Sequence, residues 1–264
     1  MQTQLEKTSF TSLFCLTLIL FSFFSCAPSK QFSYSSVGSA GNSSFGLTET
    51  PGLPIDVSPP VATLPVVEKT MLALSWEKSN PQSILWSKYM YSVIEKEEPQ
   101  MLNADAALDT DLFCPRFKEM TRDQRLNFWG ELFSGMAKYE SGWDPTSRYI
   151  EVTMPNDSIT GQPTASEGLL QLSYQDVPNY GGVCEFDWNK DKTKNSKDST
   201  RSILDPYKNL RCGIKIMARI IKKRGVIATD TGAYWAVIKK NGSHHKINEI
   251  SAMTKSLKFC LSAN

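Results

Sequence analysis

The chain has 264 residues, 41% of them hydrophobic, with 29 Lys and Arg against 27 Asp and Glu. That length holds one large domain or two small ones, and the composition excludes a chain that is disordered throughout. The net charge of +2 hides an asymmetry: residues 190–264 carry 17 basic against 5 acidic residues, leaving 12 against 22 in residues 1–189. A basic third suits an anionic polymer or a solvated helical surface, and charge alone does not choose between them.

At the N-terminus, Lys7 precedes an apolar run of 15 residues from Phe10 to Phe24. A spanning helix needs roughly 20 residues, so the run reads as the core of an export signal over residues 1–25. It ends in Phe23-Phe24-Ser25-Cys26, which resembles a bacterial lipobox and makes Cys26 the expected lipidation site. A cut after Ala27 is the alternative, and it would leave Pro28 as the new terminus. Export follows from either cut. The product is then anchored by lipid at the outer membrane or cell envelope, or secreted.

Residues 26–66 are rich in Ser, Gly and Pro and lack apolar periodicity, so they read as a flexible tether. The folded part is expected over 67–264. Ile84, Leu85, Tyr89 and Val93 recur at helical spacing and predict a helix over 83–97. Thr121 and Gln124 form a capping box, with Leu126, Trp129, Leu132, Phe133 and Met136 following on one face. Between 148 and 166, β-branched and aromatic residues flank the turn cluster Pro155-Asn156-Asp157-Ser158, which predicts a β-hairpin or a long ordered loop. Further helices are expected over 167–176, 205–223, 229–239 and 247–258. The fold class is α+β, predominantly helical, with a small β-hairpin.

Setting aside Cys15 and Cys26, four cysteines remain: Cys114, Cys184, Cys212 and Cys260. An even number in an oxidising compartment favours disulfides over a zinc site, whose compact spacing is absent. Three pairings are possible. The preferred one joins Cys114 to Cys260 and Cys184 to Cys212.

Trp129, Phe133, Met136 and Glu140 are separated by 4, 3 and 4 residues and so share one helix face. A carboxylate on an apolar stripe loses hydration when ionised, which should raise its pKa above the ordinary value of about 4.3. A general acid working at neutral pH requires that property. The alternative is a carboxylate that escapes to water at a fraying helix end.

The surroundings of Glu140 favour the first reading. Glu140-Ser141-Gly142-Trp143-Asp144-Pro145 resembles the Glu-Ser-x-aromatic-Asn/Asp-Pro signature of the lysozyme-like soluble lytic transglycosylase family. Gly168-Leu169-Leu170-Gln171-Leu172 resembles its Gly-Leu-Met-Gln-Ile block. The stretch Asp205 to Gly213 resembles its Asp-Pro-x-x-Asn-Ile-x-x-Gly helix start, and Ala233-Tyr234-Trp235-Ala236 its Ala-Tyr-Asn-Ala segment. The resemblance implies a lysozyme-like fold that cleaves the β-1,4 MurNAc–GlcNAc bond of peptidoglycan. It further implies Glu140 as the single acid and base. Gln171 and Tyr234 would line the sugar cleft, with Leu170, Leu172 and Ser141 at its wall. Asn209 reads as a structural residue positioning its helix, and Trp235 as core. The chain departs from the family in the longer link after the acid, in Gln162 where a serine is usual, and in Trp235 and Val237 for Asn and Gly.

Hydrolysis normally recruits a second carboxylate, whereas a lytic transglycosylase manages with one. Asp157, Glu151 and Glu167 are the candidates. Asp157 also suits a turn, and Glu151 alternates with Ile150 and Val152, so it faces either solvent or cleft. The long hairpin leaves room for altered sugar selectivity, such as the deacetylated glycan taken by lysozyme-like enzymes of predatory bacteria. A non-catalytic glycan-binding lipoprotein is the reading of another class. His244 and His245 are the only histidines and stand side by side, so no metal is expected; nor is a cofactor, a nucleic-acid partner or an oligomer.

Overall fold

The capping box starts the longest helix among the described residues. The Thr121 side chain accepts from the Gln124 N–H, and the Gln124 side chain accepts from the Thr121 N–H at 2.9 Å. This computed structural model describes residues 71–261, all of them within the unit Leu64–Asn264. The expected signal at 1–25, Cys26 and the tether at 26–66 lie outside the described residues.

Helix α1 spans Ser83–Glu97, and a single turn, α2, spans Thr110–Phe113. The capped helix, α3, spans Arg122–Ser141. Its Trp129, Leu132, Phe133 and Met136 are fully buried, and the Trp129 indole donates to the Met101 carbonyl at 2.6 Å. Gly142 ends it in the left-handed conformation, at φ 64°, a backbone state that glycine adopts without a Cβ clash. The Trp143 indole then folds back to the Ser134 carbonyl at 2.8 Å. Glu140 is thereby held in the last turn of a helix that does not fray.

Strands β1 (Arg148–Ile150) and β2 (Ala165–Glu167) pair antiparallel, with Arg148 opposite Glu167 and Tyr149 opposite Ser166. Two more single turns follow, α4 at Asp176–Asn179 and α5 at Trp188–Asp191. Helix α6, Pro206–Arg224, is capped by Asp205, whose carboxylate accepts from the Tyr207 and Lys208 N–H groups. Helix α7 spans Ile247–Lys255 and packs on α3, while α1 packs on both α3 and α6. The class is therefore α+β and mostly helical, with one two-stranded sheet among the described residues.

Two expected helices are absent. The stretch 167–176 is instead a tight turn between β2 and α4: Gly168 and Gln171 have φ of 79° and 48°, and Glu167 bridges Leu172. Leu169, Leu170 and Leu172 are all fully buried, so the apolar run reflects a core-filling turn and not a helical face. A short apolar run does not distinguish the two by periodicity. The stretch 229–239 is a loop. Gly232 takes φ 61°, Thr229 bridges Lys239, and only Ala236–Ile238 makes a 3-10 turn.

Asn209, fully buried on α6, explains why the first turn forms. Its side chain accepts from the Leu170 N–H at 2.8 Å and donates to the Glu167 and Ile203 carbonyls at 3.1 Å each. A Cβ on Gly168 would lie 2.4 Å from the Asn209 amide nitrogen, and one on Gly213 would lie 2.3 Å from Leu170. Close approach of turn and helix thus requires Gly168, whose added Cβ would also meet the Ile203 carbonyl oxygen at 2.9 Å, while at Gly213 the Leu170 side chain would have to shift. Disulfides Cys114–Cys260 and Cys184–Cys212 close loops of 146 and 28 residues, in the preferred pairing. No helix among the described residues is long and apolar enough to cross a membrane.

Replacing Asn209 with Ala leaves the Leu170 N–H and the Ile203 carbonyl without partners, each loss costing about 1–3 kcal/mol before relaxation, while the Glu167 carbonyl keeps the Leu172 N–H at 2.9 Å. Asn209→Ala is expected to lower stability by roughly 3 kcal/mol. In denaturant titration the midpoint should fall with little change in slope.

Candidate active site

The end of α3, the hairpin, the 171–176 segment and the 232–236 loop surround a cleft of about 740 Å³. Glu140 lines it. The residue is partly exposed, yet its Oε1 is sealed from solvent and has no hydrogen-bond partner. Burial pushes the Glu140 carboxyl up to about 7, the nearby charge of Glu151 adds to the rise, and the Val237 N–H offsets part of it. That N–H belongs to the 3-10 turn at Ala236–Ile238.

Glu151 lines the same cleft, just beyond β1. Its N–H bonds to the Thr164 carbonyl at 2.8 Å, and its carboxylate accepts from the Ser166 hydroxyl on β2. The hairpin register therefore carries Glu151 to the cleft side and leaves Val152 exposed.

Gln171 and Tyr234 are also at the cleft. Gln171 is strained into positive φ by the turn, and its side-chain nitrogen donates back to the Gly168 carbonyl at 2.8 Å. The Tyr234 hydroxyl donates to Asp176, a buried cleft residue that the sequence reading passed over. Asp176 also accepts from the Ser173 N–H at 2.7 Å and from its hydroxyl. Burial holds the Asp176 carboxyl above its ordinary range, despite those donors. Burial and the Asp176 charge likewise hold Tyr234 well above its ordinary value, as a proton donor rather than a phenolate. Assigning 167–176 to a helix concealed Asp176; a turn there puts Gln171, Ser173 and Asp176 on the cleft together.

Other expected positions fall elsewhere. Leu170 and Leu172 are fully buried in the core and do not present side chains to the cleft; the Leu170 carbonyl is taken by the buried Trp235 indole at 2.8 Å. Ser141 is outside the cleft lining and bonds back to the Ala137 carbonyl at 3.0 Å. Glu167 is 1% exposed, and its oxygens meet Arg148 at 2.8 Å and Arg201 at 2.6 Å, so it has no free face for chemistry. Asp157 is buried in its turn, accepting from the Ile159, Thr160 and Gln175 N–H groups. Among the described residues no group of His, Cys, Asp and Glu is arranged to hold a metal.

A partly exposed glutamate with its pKa raised to about 7, and a second glutamate in the same cleft, make up the carboxylate pair that glycosidase-like chemistry uses. No family model matches the chain, and no curated protein matches it. Solved structures do: the wild-type form of DslA (Bd0314), a Bdellovibrio protein, is 29% identical at a TM-score of 0.59, covering 72% of this chain and 98% of that one. Two DslA variants, each with a glutamate replaced by glutamine, give TM-scores of 0.58 and 0.57 at 29% and 30% identity. The 30% match covers 71% of this chain and 97% of the other, and on that footing the chain belongs to the same family as DslA.

A carboxyl whose pKa is raised on folding stabilises the fold below its unfolded value, about 4.3, and loses that contribution as pH rises through its folded value. For Glu140 the loss spans the range from there up to about pH 7 and beyond. Glu140→Gln should therefore match the wild type at pH 4 and exceed it by roughly 2 kcal/mol at pH 8, discounted for partial solvent access. Thermal unfolding of both proteins at the two pH values measures the difference.

Proposed function

We propose that the chain cleaves the glycan strands of peptidoglycan at the β-1,4 MurNAc–GlcNAc bond, through a lysozyme-like domain with Glu140 as general acid. The observation that carries this is the sealed, unpartnered Oε1 of Glu140 in a cleft that also holds Glu151. The glutamates replaced in the two DslA variants are eleven residues apart, the same spacing as Glu140 and Glu151.

Glu140 donates its proton to the glycosidic oxygen as the bond from C1 to that oxygen breaks. The positive charge that develops on the sugar ring is met by the Glu151 carboxylate, which the Ser166 hydroxyl orients. The ionised Glu140 then takes a proton from the water that attacks C1. Two carboxylates favour this hydrolytic outcome over the one-carboxylate reaction that ends in a 1,6-anhydro sugar. Tyr234 and Gln171 would hold the sugar, with Asp176 fixing the Tyr234 hydroxyl. Lipidation at Cys26 would anchor the enzyme in the envelope, as a monomer on a tether.

A specific feature favours deacetylated glycan as the preferred form. Beside the proton-bearing Glu140, the carboxylates of Glu151 and Asp176 line the cleft, whereas its one lining guanidinium, Arg148, is paired with Glu167. An acidic wall attracts a sugar that carries an ammonium in place of an acetamide.

Glu140→Gln should lower cleavage of sacculi by about 10³-fold, the usual scale for a general acid, while Glu151→Gln should be comparably damaging in a hydrolase. Turnover of the wild type should fall above about pH 7 as Glu140 gives up its proton. Mass spectrometry of digested native and deacetylated sacculi should find reducing ends, more of them from the deacetylated material. Undiminished cleavage by Glu140→Gln would remove the assignment, and binding without cleavage by the wild type would leave a glycan-binding lipoprotein.

A further inference from the structure

A second groove, of about 730 Å³, opens beside the cleft and shares Tyr180 and Gly232 with it. Its wall is the C-terminal half of α6. Arg219, Lys222 and Lys223 are three and four residues apart, so they share one face of that helix, and all three are exposed. Two basic residues in the middle of α6 are neutralised: Arg211 pairs with Glu97 and Glu185, and Lys215 with Glu97 and Glu98. Among the described residues no carboxylate pairs with Arg219, Lys222 or Lys223.

Basic residues in a last helical turn complement the helix dipole, and that accounts in part for Lys222 and Lys223. It does not account for Arg219, one turn earlier, or for a cavity. The Arg219 guanidinium sits over the Tyr180 ring at 6.0 Å, and Tyr180 meets Tyr234 edge-on at 6.0 Å. Arg219, Tyr180 and Tyr234 thus form a continuous row from the basic groove into the acidic cleft. Arg224 ties the same two regions, donating to the Thr231 carbonyl at 2.6 Å.

We propose that this groove binds the stem-peptide carboxylates of the strand whose sugars occupy the cleft, an inference that rests on the peptidoglycan reading of that cleft. A stem peptide carries free carboxylates, which the acidic cleft would repel. A neighbouring groove of unpaired cations gives them a place within one contour of the strand, and each exposed contact adds a modest, salt-sensitive attraction. The enzyme then selects glycan that still bears its peptides over stripped glycan.

The test compares the full chain with the double variant Arg219→Ala/Lys223→Ala on glycan strands carrying stem peptides and on strands stripped by an amidase, at low salt and at high salt. The wild type is expected to prefer peptide-bearing strands by about 5–30-fold in kcat/KM at low salt, the product of two or three exposed ionic contacts. High salt or the double variant should bring the preference close to parity. Equal cleavage of the two strands by the wild type, or a preference that survives the double substitution, overturns the proposal. Co-sedimentation of the Glu140→Gln protein with the same two strands, with and without the groove substitutions, decides the matter by binding even if no strand is cleaved. In that event the cleavage reading fails while the groove is still judged. Anionic phosphatidylglycerol vesicles form the last arm: loss of vesicle binding in the double variant with the peptide preference unchanged assigns the groove to a membrane surface and rejects the stem peptide.

Discussion

The side-chain amide of Asn209 is the contact on which the rest of the cleft depends. It joins α6 to the turn at Glu167–Leu170 by two buried hydrogen bonds and to the Ile203 carbonyl by a third, and the turn cannot approach the helix unless Gly168 lacks a side chain. Once the turn is seated, β2 ends at Glu167, Gln171 is forced into positive φ at the cleft, and Ser173 and Asp176 follow on the same side. The strand paired with β2 leads into Glu151. A single buried amide therefore sets the position of the cleft wall facing the end of α3.

Buried carboxylates in this protein meet two fates, and the contrast explains which one can do chemistry. Glu167 is enclosed with Arg148 and Arg201, so its charge is matched and its oxygens are occupied. Such a pair gains little net stability, because desolvation offsets attraction, but losing one member would be costly. Glu140 lies next to no cation, and one of its oxygens faces no donor. Burial raises its pKa to about 7, which keeps a transferable proton at the edge of a cleft as neutrality is approached. Asp176 is intermediate: buried, supplied with donors by Ser173 and Tyr234, and used to hold a tyrosine in place.

The helices that begin with a cap and carry a long apolar face were readable from residue order alone. The Thr121 capping box, the Asp205 cap ahead of Pro206 and the stripe over 83–97 all produced helices close to the expected limits. Glu140 stood out for the same reason, since its spacing from Trp129, Phe133 and Met136 is a property of the sequence. Of the segments that went unread, 167–176 owes its shape to Asn209, far along the chain, and 229–239 to a bridge between its own ends, Thr229 and Lys239. Local apolar spacing carries no information about such partners.

The residue order by itself determined where the long helices start and stop, which face of each is buried, and that one glutamate would be stranded on an apolar face, because caps and periodicity act within a few residues. Only the tertiary structure decided which acids share the cleft. Burial, pairing and proton affinity depend on what packs alongside, so Glu151 and Asp176 came to the cleft while Glu167 was neutralised by arginines and Asp157 was absorbed into a turn.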